Sequence, residues 1–430
     1  MAKRVCLVGV CLVGVLLALS GQASAAGGHW AVICGIANYQ SVNDLTYTDD
    51  DARDMAAALK KYPEWNQRSD QIVVLIDSAA SKQGVLGAIQ QMGSKAAAGD
   101  TCVFFFSGHG TQVPDTSGDE SDGLAEAICP WDTYFSGSTI KNVITDDELG
   151  ACLTASLATQ QVVVILDTCF SGGMAKGVEE GTVKCVRNPR LPAKGKVKRA
   201  FGFHVAQRLA RRENKAPGGT SGGPSSKDIG GTNSVVLMAC EEGSYSYETR
   251  TLRNGVFTYY VVEGLGSPSS GAPADSDGNH LVSAEEDFGY AAPRTTSFAW
   301  RYLRVTQKPQ LYDGNTYADT ELVTPPAPPA SVKVAVTTDK TTYTNGQRAT
   351  ITVTVTDESN SPIEGATVQV VVTSANGRTT TYQGTTDSGG IVTFLYKVST
   401  KTGGKGTYNV NATATKLGVS GTGSTTFTVN

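Results

Sequence analysis

Five short apolar runs recur through the first 240 positions: 29–36 (HWAVICGI), 70–77 (DQIVVLID), 101–106 (TCVFFF), 161–167 (QVVVILD) and 234–239 (SVVLMA). They are rich in β-branched and aromatic residues and do not alternate with polar ones. Each therefore suits a strand covered on both faces. Between them, Ala52, Met55, Ala56 and Leu59 repeat at helical spacing, as do Val85, Ile89, Met92 and Ala96. Strands alternating with helices predict an α/β sandwich around a mostly parallel sheet.

Two of these runs end in chemistry. Val103-Phe-Phe-Phe-Ser-Gly-His109-Gly110 carries a strand into an imidazole, and Val162-Val-Val-Ile-Leu-Asp-Thr-Cys169 carries another into a thiol. Ligands of an open parallel sheet bind beyond the carboxyl ends of its strands. If the two strands are neighbours, His109 and Cys169 project side by side there. A thiol needs a base or a positive field to attack well, and imidazole supplies both. The flanking glycines let a substrate backbone approach and let backbone N–H groups face a developing oxyanion. A lone His or Cys at a strand end is ordinarily structural; both together, after matching strands, point to nucleophilic catalysis.

Composition narrows the setting. Lys+Arg 36 against Asp+Glu 40 argues against a nucleic-acid binder. A 40% hydrophobic and 18% charged chain is not wholly disordered. Nine Cys in 430 residues are too sparse for a disulfide scaffold. The N-terminus joins a basic Met1–Arg4 to an apolar run over 5–19 and to Ala23-Ser24-Ala25. This reads as a signal peptide, residues 1–25, cut after Ala25, and predicts a secreted, periplasmic or cell-surface protein without stable membrane insertion. Cleavage removes Cys6 and Cys11 and leaves seven Cys, an odd number, so at least one thiol is free or pairs between chains.

A domain is expected over 26–316, broken by an insertion at 184–226. Its 184–215 part holds eleven Lys/Arg (184, 187, 190, 194, 196, 198, 199, 208, 211, 212, 215) against the single acid Glu213. The plainest reading of such a run is a solvated loop. A Pro-rich linker is expected at 317–330. Residues 331–430 alternate clearly in VKVAVTT, ATITVTVTD and ATVQVVV, and predict a β-sandwich.

Residues 275–286 place Asp275, Asp277, Asn279, Ser283 and Glu286 at loop positions one, three, five, nine and twelve, with the Leu281 carbonyl at seven. This is EF-hand spacing and predicts a structural Ca²⁺ site; the departure is His280, where the turn ordinarily takes Gly. No cofactor is needed for the dyad's chemistry.

At these residues the chain resembles the caspase-like cysteine peptidases, closest to the bacterial metacaspase (orthocaspase) group. The resemblance runs over about 29–312 through HWAVICGIANY, DDARDM, FFFSGHGTQ, GDESDGLAEAICPWDT, ITDDEL, VVVILDTCFSGG, VVLMACEEGSYSYE, GVFTYYVVEGL and KPQLYDG. It implies a caspase-like α/β/α sandwich and an endopeptidase cutting after Arg or Lys in protein or peptide substrates. It implies Cys169 as nucleophile, His109 as general acid/base, and the Gly110 and Cys169 N–H groups as oxyanion hole. Asp51, Ser107 and Asp167 match the pocket positions, and two carboxylates there would favour a basic side chain over an acidic one. The alternative for Asp51 is one more solvated acid in Asp49-Asp50-Asp51. The resemblance also makes 184–215 a self-cleavage region, where the large and small subunits of the family join. Asp146 and Asp147 match the metacaspase calcium site, but Ala125 and Lys176 fall where acids are expected, so calcium-triggered activation does not follow. Residues 331–430, TDESNSPIEGATVQV above all, resemble bacterial immunoglobulin-like repeats, which implies a spacer or a module binding cell wall, glycan or protein. The competing reading is a surface adhesion or binding protein with an inactive peptidase-like scaffold. Acidic specificity is a third, opposed by the paired pocket acids.

Overall fold

The computed structural model describes residues 28–117, 123–157, 161–169, 181–184, 234–241, 244–268, 271–314 and 319–430. The expected signal peptide, Lys176, Cys185 and all of the 184–226 insertion except Lys184 lie outside them.

Six strands form one sheet: β1 His29–Gly35, β2 Ile72–Ile76, β3 Thr101–Ser107, β4 Gln161–Asp167, β5 Ser234–Met238 and β6 Gln310–Asp313. Their order is β6-β5-β4-β3-β1-β2; the first five in sequence pair parallel and β6 closes one edge antiparallel. The apolar runs are buried because both faces are covered. On one face Val32, Phe104, Phe106, Val162 and Val164 pack with Val85, Ile89, Leu149 and Leu153. These last come from α2 Lys82–Lys95 and α3 Asp146–Ser156. On the other face Ile33, Val103, Phe105, Val163 and Ile165 pack with Met55, Leu59, Phe257, Val261 and Ala291. These belong to α1 Thr48–Lys60, α4 Val256–Leu265 and α5 Ala284–Phe298. The result is the expected three-layer α/β/α sandwich.

Two features aim this frame at its carboxyl edge. The register pairs Gly35 with Ser107 and Ser107 with Asp167, so three strands end level. A Cβ on Gly35 would collide with the Thr48 carbonyl and Ala52. Glycine there lets the start of α1 lie against the end of β1.

The expected linker needs a correction. Residues Glu321–Val323 form a strand paired with Val282–Ser283, and Leu322 and Val323 are fully buried in the α/β core. The Trp65 indole N–H also donates to the Leu322 carbonyl at 2.6 Å. Two apolar side chains outweighed the prolines that follow, so the α/β domain extends to Val323.

Residues 331–430 form a three-stranded sheet (333–338, 348–356, 391–397) and a five-stranded sheet (342–343, 419–429, 406–416, 367–373, 379–385). Alternate residues, among them Ile351, Val353, Val368, Val370, Val410 and Phe427, fill the core between them. This is an all-β domain. Among the described residues no helix is long and apolar enough to cross a membrane.

Candidate active site

His109 follows β3 and Cys169 follows β4, on adjacent strands as expected. Both are buried, at 2% and 0% exposure. The His109 backbone N–H donates to the Tyr39 hydroxyl at 2.7 Å, and the two rings lie 4.9 Å apart. His109 Nε2 lies 2.7 Å from the Asn43 carbonyl oxygen. A carbonyl only accepts, so Nε2 carries the proton and Nδ1 keeps a lone pair. Nδ1 has no hydrogen-bond partner among the described residues. Burial pushes the imidazole pKa down to about 4. Burial raises the Cys169 thiol well above its usual range, and the neighbouring Cys240 thiol adds to this. At neutral pH the resting pair is therefore thiol and neutral imidazole, not an ion pair. The six described cysteines are all free thiols.

Beside the pair lies a pocket of carboxylates. Asp51 is fully buried, whereas Asp49 and Asp50 are partly exposed and pair with Arg53. The reading of Asp51 as a third solvated acid therefore fails: on a helix one of three consecutive residues faces inward. Asp51 accepts from the Ser107 hydroxyl at 2.6 Å and from the Gly255 N–H at 2.7 Å. Asp167 accepts from the Thr258 N–H and hydroxyl at 3.1 and 2.7 Å, and from the Ser246 hydroxyl. Thr258 sits in the first turn of α4, whose dipole favours a carboxylate there.

The pocket is filled by the chain itself. Lys184, the first of the eleven basic residues, is not solvated; its side chain is fully buried. Its Nζ lies 2.8 Å from Asp51, 3.1 Å from Asp167 and 2.9 Å from the Ser107 hydroxyl oxygen. The ammonium donates to Asp51 and to the Ser107 hydroxyl and forms an ion pair with Asp167. Burial alone would push its pKa down, but Asp167, Asp51 and Glu248 outweigh it and hold the charge on. Burial pushes the Asp51 carboxyl up, and Lys184 offsets only part of that rise. Gly255 forms the floor: a Cβ there would collide with Asp167, Lys184 Nζ and Asp51. Any side chain at 255 would occupy the space of the ammonium.

The backbone of Lys184 is placed as strictly as its side chain. Its carbonyl oxygen accepts from the Gly110 N–H and the Cys169 N–H, each at 3.2 Å. Its own N–H donates to the Ser246 carbonyl at 3.3 Å. The preceding strand Gly181–Val183 pairs antiparallel with Tyr247–Thr249. The Ser246 N–H in turn donates to the Cys169 sulfur at 2.9 Å. An extended segment thus crosses the site with one carbonyl on two amides and one cation in the acidic pocket. Such donors can stabilise an oxyanion at that oxygen, and a thiolate at Cys169 can attack its carbon.

Several of these groups were assigned no role from the sequence. Glu248 is 1% exposed and accepts from the Thr46 and Tyr47 N–H groups at 2.7 and 2.8 Å, which ties the start of α1 to the site. Asn43, Ser246, Gly255 and Thr258 are likewise brought in from distant positions. Ser246 and Glu248 lie in VVLMACEEGSYSYE, and Gly255 and Thr258 in GVFTYYVVEGL, so the resemblance marked these stretches without singling out the residues.

The metal expectations divide. In the 275–286 loop, Asp275, Asp277 and Glu286 hold carboxylate oxygens within 4.8 Å of one another. His280 takes φ +65°, the left-handed turn that position six requires. Asn279 accepts from the Leu281 N–H at 2.7 Å. Ser283 caps α5, its hydroxyl accepting from the Glu286 N–H at 3.0 Å. The hard-oxygen donor set fits Ca²⁺. Asp146 and Asp147 open α3; among the described residues they join no group of three metal-ligating side chains.

A thiol and an imidazole thus close neighbouring parallel strands, beside two amides that converge on one carbonyl oxygen. The chain belongs to the caspase-domain family, whose model matches residues 28–316. It is 32% identical over 152 residues to Metacaspase-1B of Neurospora crassa, covering 34% of each chain. It is 33% identical over 150 residues to Metacaspase-3 of Arabidopsis thaliana, covering 33% of this chain and 39% of that one. The matches thus span little more than a third of these curated relatives. Among solved structures, caspase-1 of Spodoptera frugiperda aligns at 12% identity and TM-score 0.38, over 70% of this chain and 91% of that one. A protein from Geobacter sulfurreducens aligns at 20% and 0.44, over 70% and 100%. Likenesses at these scores carry no argument about the site.

Proposed function

We propose that the chain is a secreted cysteine endopeptidase that cleaves after Lys or Arg and cuts itself between Lys184 and Cys185. One observation carries this reading: Lys184 lies across the site as a substrate would, its ammonium between Asp51 and Asp167 and its carbonyl on the Gly110 and Cys169 amides. In the proposed reaction His109 Nδ1 takes the Cys169 proton as sulfur attacks the Lys184 carbonyl carbon. The two amides hold the oxyanion. Collapse breaks the bond to the Cys185 nitrogen, which leaves as an amine with the proton from His109. Water, deprotonated by His109, then hydrolyses the thioester and restores the thiol. The neutral resting pair suits this order, because the proton moves with the attack and not before it.

The scaffold-only reading is disfavoured because a silent site has no need to align a carbonyl on two amides. Acidic specificity is disfavoured because a third carboxylate would be placed beside Asp51 and Asp167. A panel of peptide amides tests this directly. Lys and Arg before the scissile bond should be cleaved at least ~100-fold faster than Asp, as expected for a buried charge-paired pocket. Equal rates, or faster cleavage after Asp, would refute the assignment of the pocket.

The 275–286 loop is proposed to hold a structural Ca²⁺ through Asp275, Asp277, Asn279, the Leu281 carbonyl, Ser283 and Glu286. Ca²⁺ in excess should raise the melting temperature of the chain, by an amount equivalent to about 2.7 kcal/mol at a hundred times Kd. Asp277→Ala with Glu286→Gln should abolish that rise. A calcium-independent melt in the unaltered chain would remove the site. No calcium-triggered step is proposed at Asp146 and Asp147. The C-terminal sandwich, read from its sequence as an immunoglobulin-like spacer or a module for wall, glycan or protein, contributes no residue to the active site described above.

A further inference from the structure

Ser246 meets the proposed reaction through its carbonyl, its hydroxyl and its N–H. The carbonyl accepts from the Lys184 N–H at 3.3 Å and the hydroxyl donates to Asp167. These two hold the bound segment and its pocket. The N–H meets the nucleophile itself, donating to the Cys169 sulfur at 2.9 Å. At rest the thiol is neutral and donates in return to the Ser246 carbonyl at 3.3 Å. When His109 takes that proton during the attack, the S–H bond to the carbonyl is lost. The N–H then faces a sulfur that carries negative charge. A hydrogen bond to a charged partner is about twice as strong as one between neutral groups. The contact therefore strengthens on the way to the transition state, which is where a contact accelerates a reaction. Of the groups that pull the Cys169 thiol down against its burial, the Ser246 N–H comes first and Lys184 second.

Gln307, in the loop between α5 and β6, fixes where that N–H points. Its side chain is fully buried. The amide N–H groups donate to the Ala239 carbonyl at 3.1 Å and to the Ser246 hydroxyl oxygen at 3.3 Å, and the amide oxygen accepts from the Tyr247 N–H at 3.3 Å. Turning the amide over would set its N–H groups against the Tyr247 N–H, so the network fixes its orientation. The Gln307 carbonyl accepts from the Thr296 hydroxyl at 2.9 Å, which anchors the residue to α5. Ala239 in turn donates its N–H to the Leu166 carbonyl at 2.9 Å, on the strand that leads into Cys169. One amide thus ties Ser246 and Tyr247 to the strands that carry the nucleophile. We propose that Ser246 is a further catalytic residue, its backbone N–H holding the Cys169 sulfur as charge develops there, and that Gln307 is the positioning residue that keeps this N–H on the sulfur. The inference rests on the peptidase reading above.

The test compares the full chain with two variants. Gln307→Met keeps the reach of the side chain and removes its hydrogen bonds; Ser246→Ala keeps the N–H and removes the hydroxyl. Each is assayed on a Lys peptide amide. Each is also treated with iodoacetamide, and alkylation of Cys169 is read by mass spectrometry against Cys152 of the same sample, a half-buried thiol on α3. Gln307→Met should lower kcat and the Cys169:Cys152 ratio about tenfold each, with KM changed less than about threefold, as for loss of a hydrogen bond to a charged group. Unfolding exposes both thiols alike and would instead bring the ratio toward one. Ser246→Ala should act chiefly on KM, because Asp167 loses a donor, and should leave the thiol ratio in place. A Gln307→Met chain with kcat and thiol ratio unchanged overturns the proposal. So does a fall in kcat without a fall in the ratio, which leaves Gln307 a purely structural part and the peptidase standing. A Ser246→Ala chain whose thiol ratio falls about tenfold also overturns it, because the N–H is still there. A chain that cleaves no Lys or Arg peptide, yet loses thiol reactivity in Gln307→Met, refutes the peptidase reading and keeps the N–H on the sulfur.

Discussion

Cys169→Ala is expected to leave the chain uncut between 184 and 185, while the unaltered chain yields fragments ending at Lys184 and starting at Cys185. The change removes only a sulfur atom, and the Cys169 backbone N–H that meets the Lys184 carbonyl remains. The bound geometry of 181–184 should therefore persist while bond cleavage stops. Loss of a nucleophile in a dyad that acts as a unit costs about 10⁴–10⁶ in kcat, with the residual rate coming from the amides and from binding. His109→Ala should fall to a similar floor, because the thiol is held neutral and the imidazole is the group proposed to take its proton. Fragments that end at Lys184 in the Cys169→Ala protein would place the cut in the hands of another protease.

Lys184→Gln is expected to act in two opposite directions. The cut between 184 and 185 should disappear, because the amide has no charge for Asp51 and Asp167. Cleavage of small Lys and Arg peptides should rise, because a tethered ligand competes at a millimolar effective concentration that free peptide must overcome. Iodoacetamide should also reach Cys169 faster, by about tenfold or more on the same estimate. Removing one partner of a buried ion pair costs about 3–5 kcal/mol when the other charge stays dry. Here two carboxylates are left, and water entering the emptied pocket offsets part of that cost, so melting should fall without loss of fold. Lys184→Arg keeps the charge and should keep the cut. A Lys184→Gln chain still cut at 184–185, or one with peptide rates unchanged, would show that the buried lysine does not govern access.

Much of this site is legible locally. β3 and β4 are continuous apolar runs, and the switch to polar residues marks where each run ends. His109, Cys169, Ser107 and Asp167 each lie at or within two residues of such an end, so strand and chemistry are read together. Their parallel pairing follows from the helices between them. The left-handed turn at His280 is likewise set within a loop of twelve residues. Where the reading failed, the deciding partner was distant. The strand at 321–323 lies just before a run of prolines, and its burial depends on residues around 65 and 282. Glu248 looks like any surface acid until Thr46 and Tyr47 are laid against it.

The layers of the sandwich, the strand ends that carry thiol and imidazole, and the acids that could line a pocket all follow from periodicity and from neighbours within a few residues. Which cation fills that pocket follows instead from contacts between distant parts of the chain. Eleven basic residues in 184–215 have equal charge and nearly equal composition around them. Lys184 follows a strand that pairs beside Ser246, and so it is delivered with its carbonyl on two amides and its ammonium between two carboxylates. Charge attracts any lysine, but a buried ion pair is stable only when every N–H and every carboxylate oxygen finds its partner at once. That closure depends on positions 51, 107, 167 and 255 meeting in space.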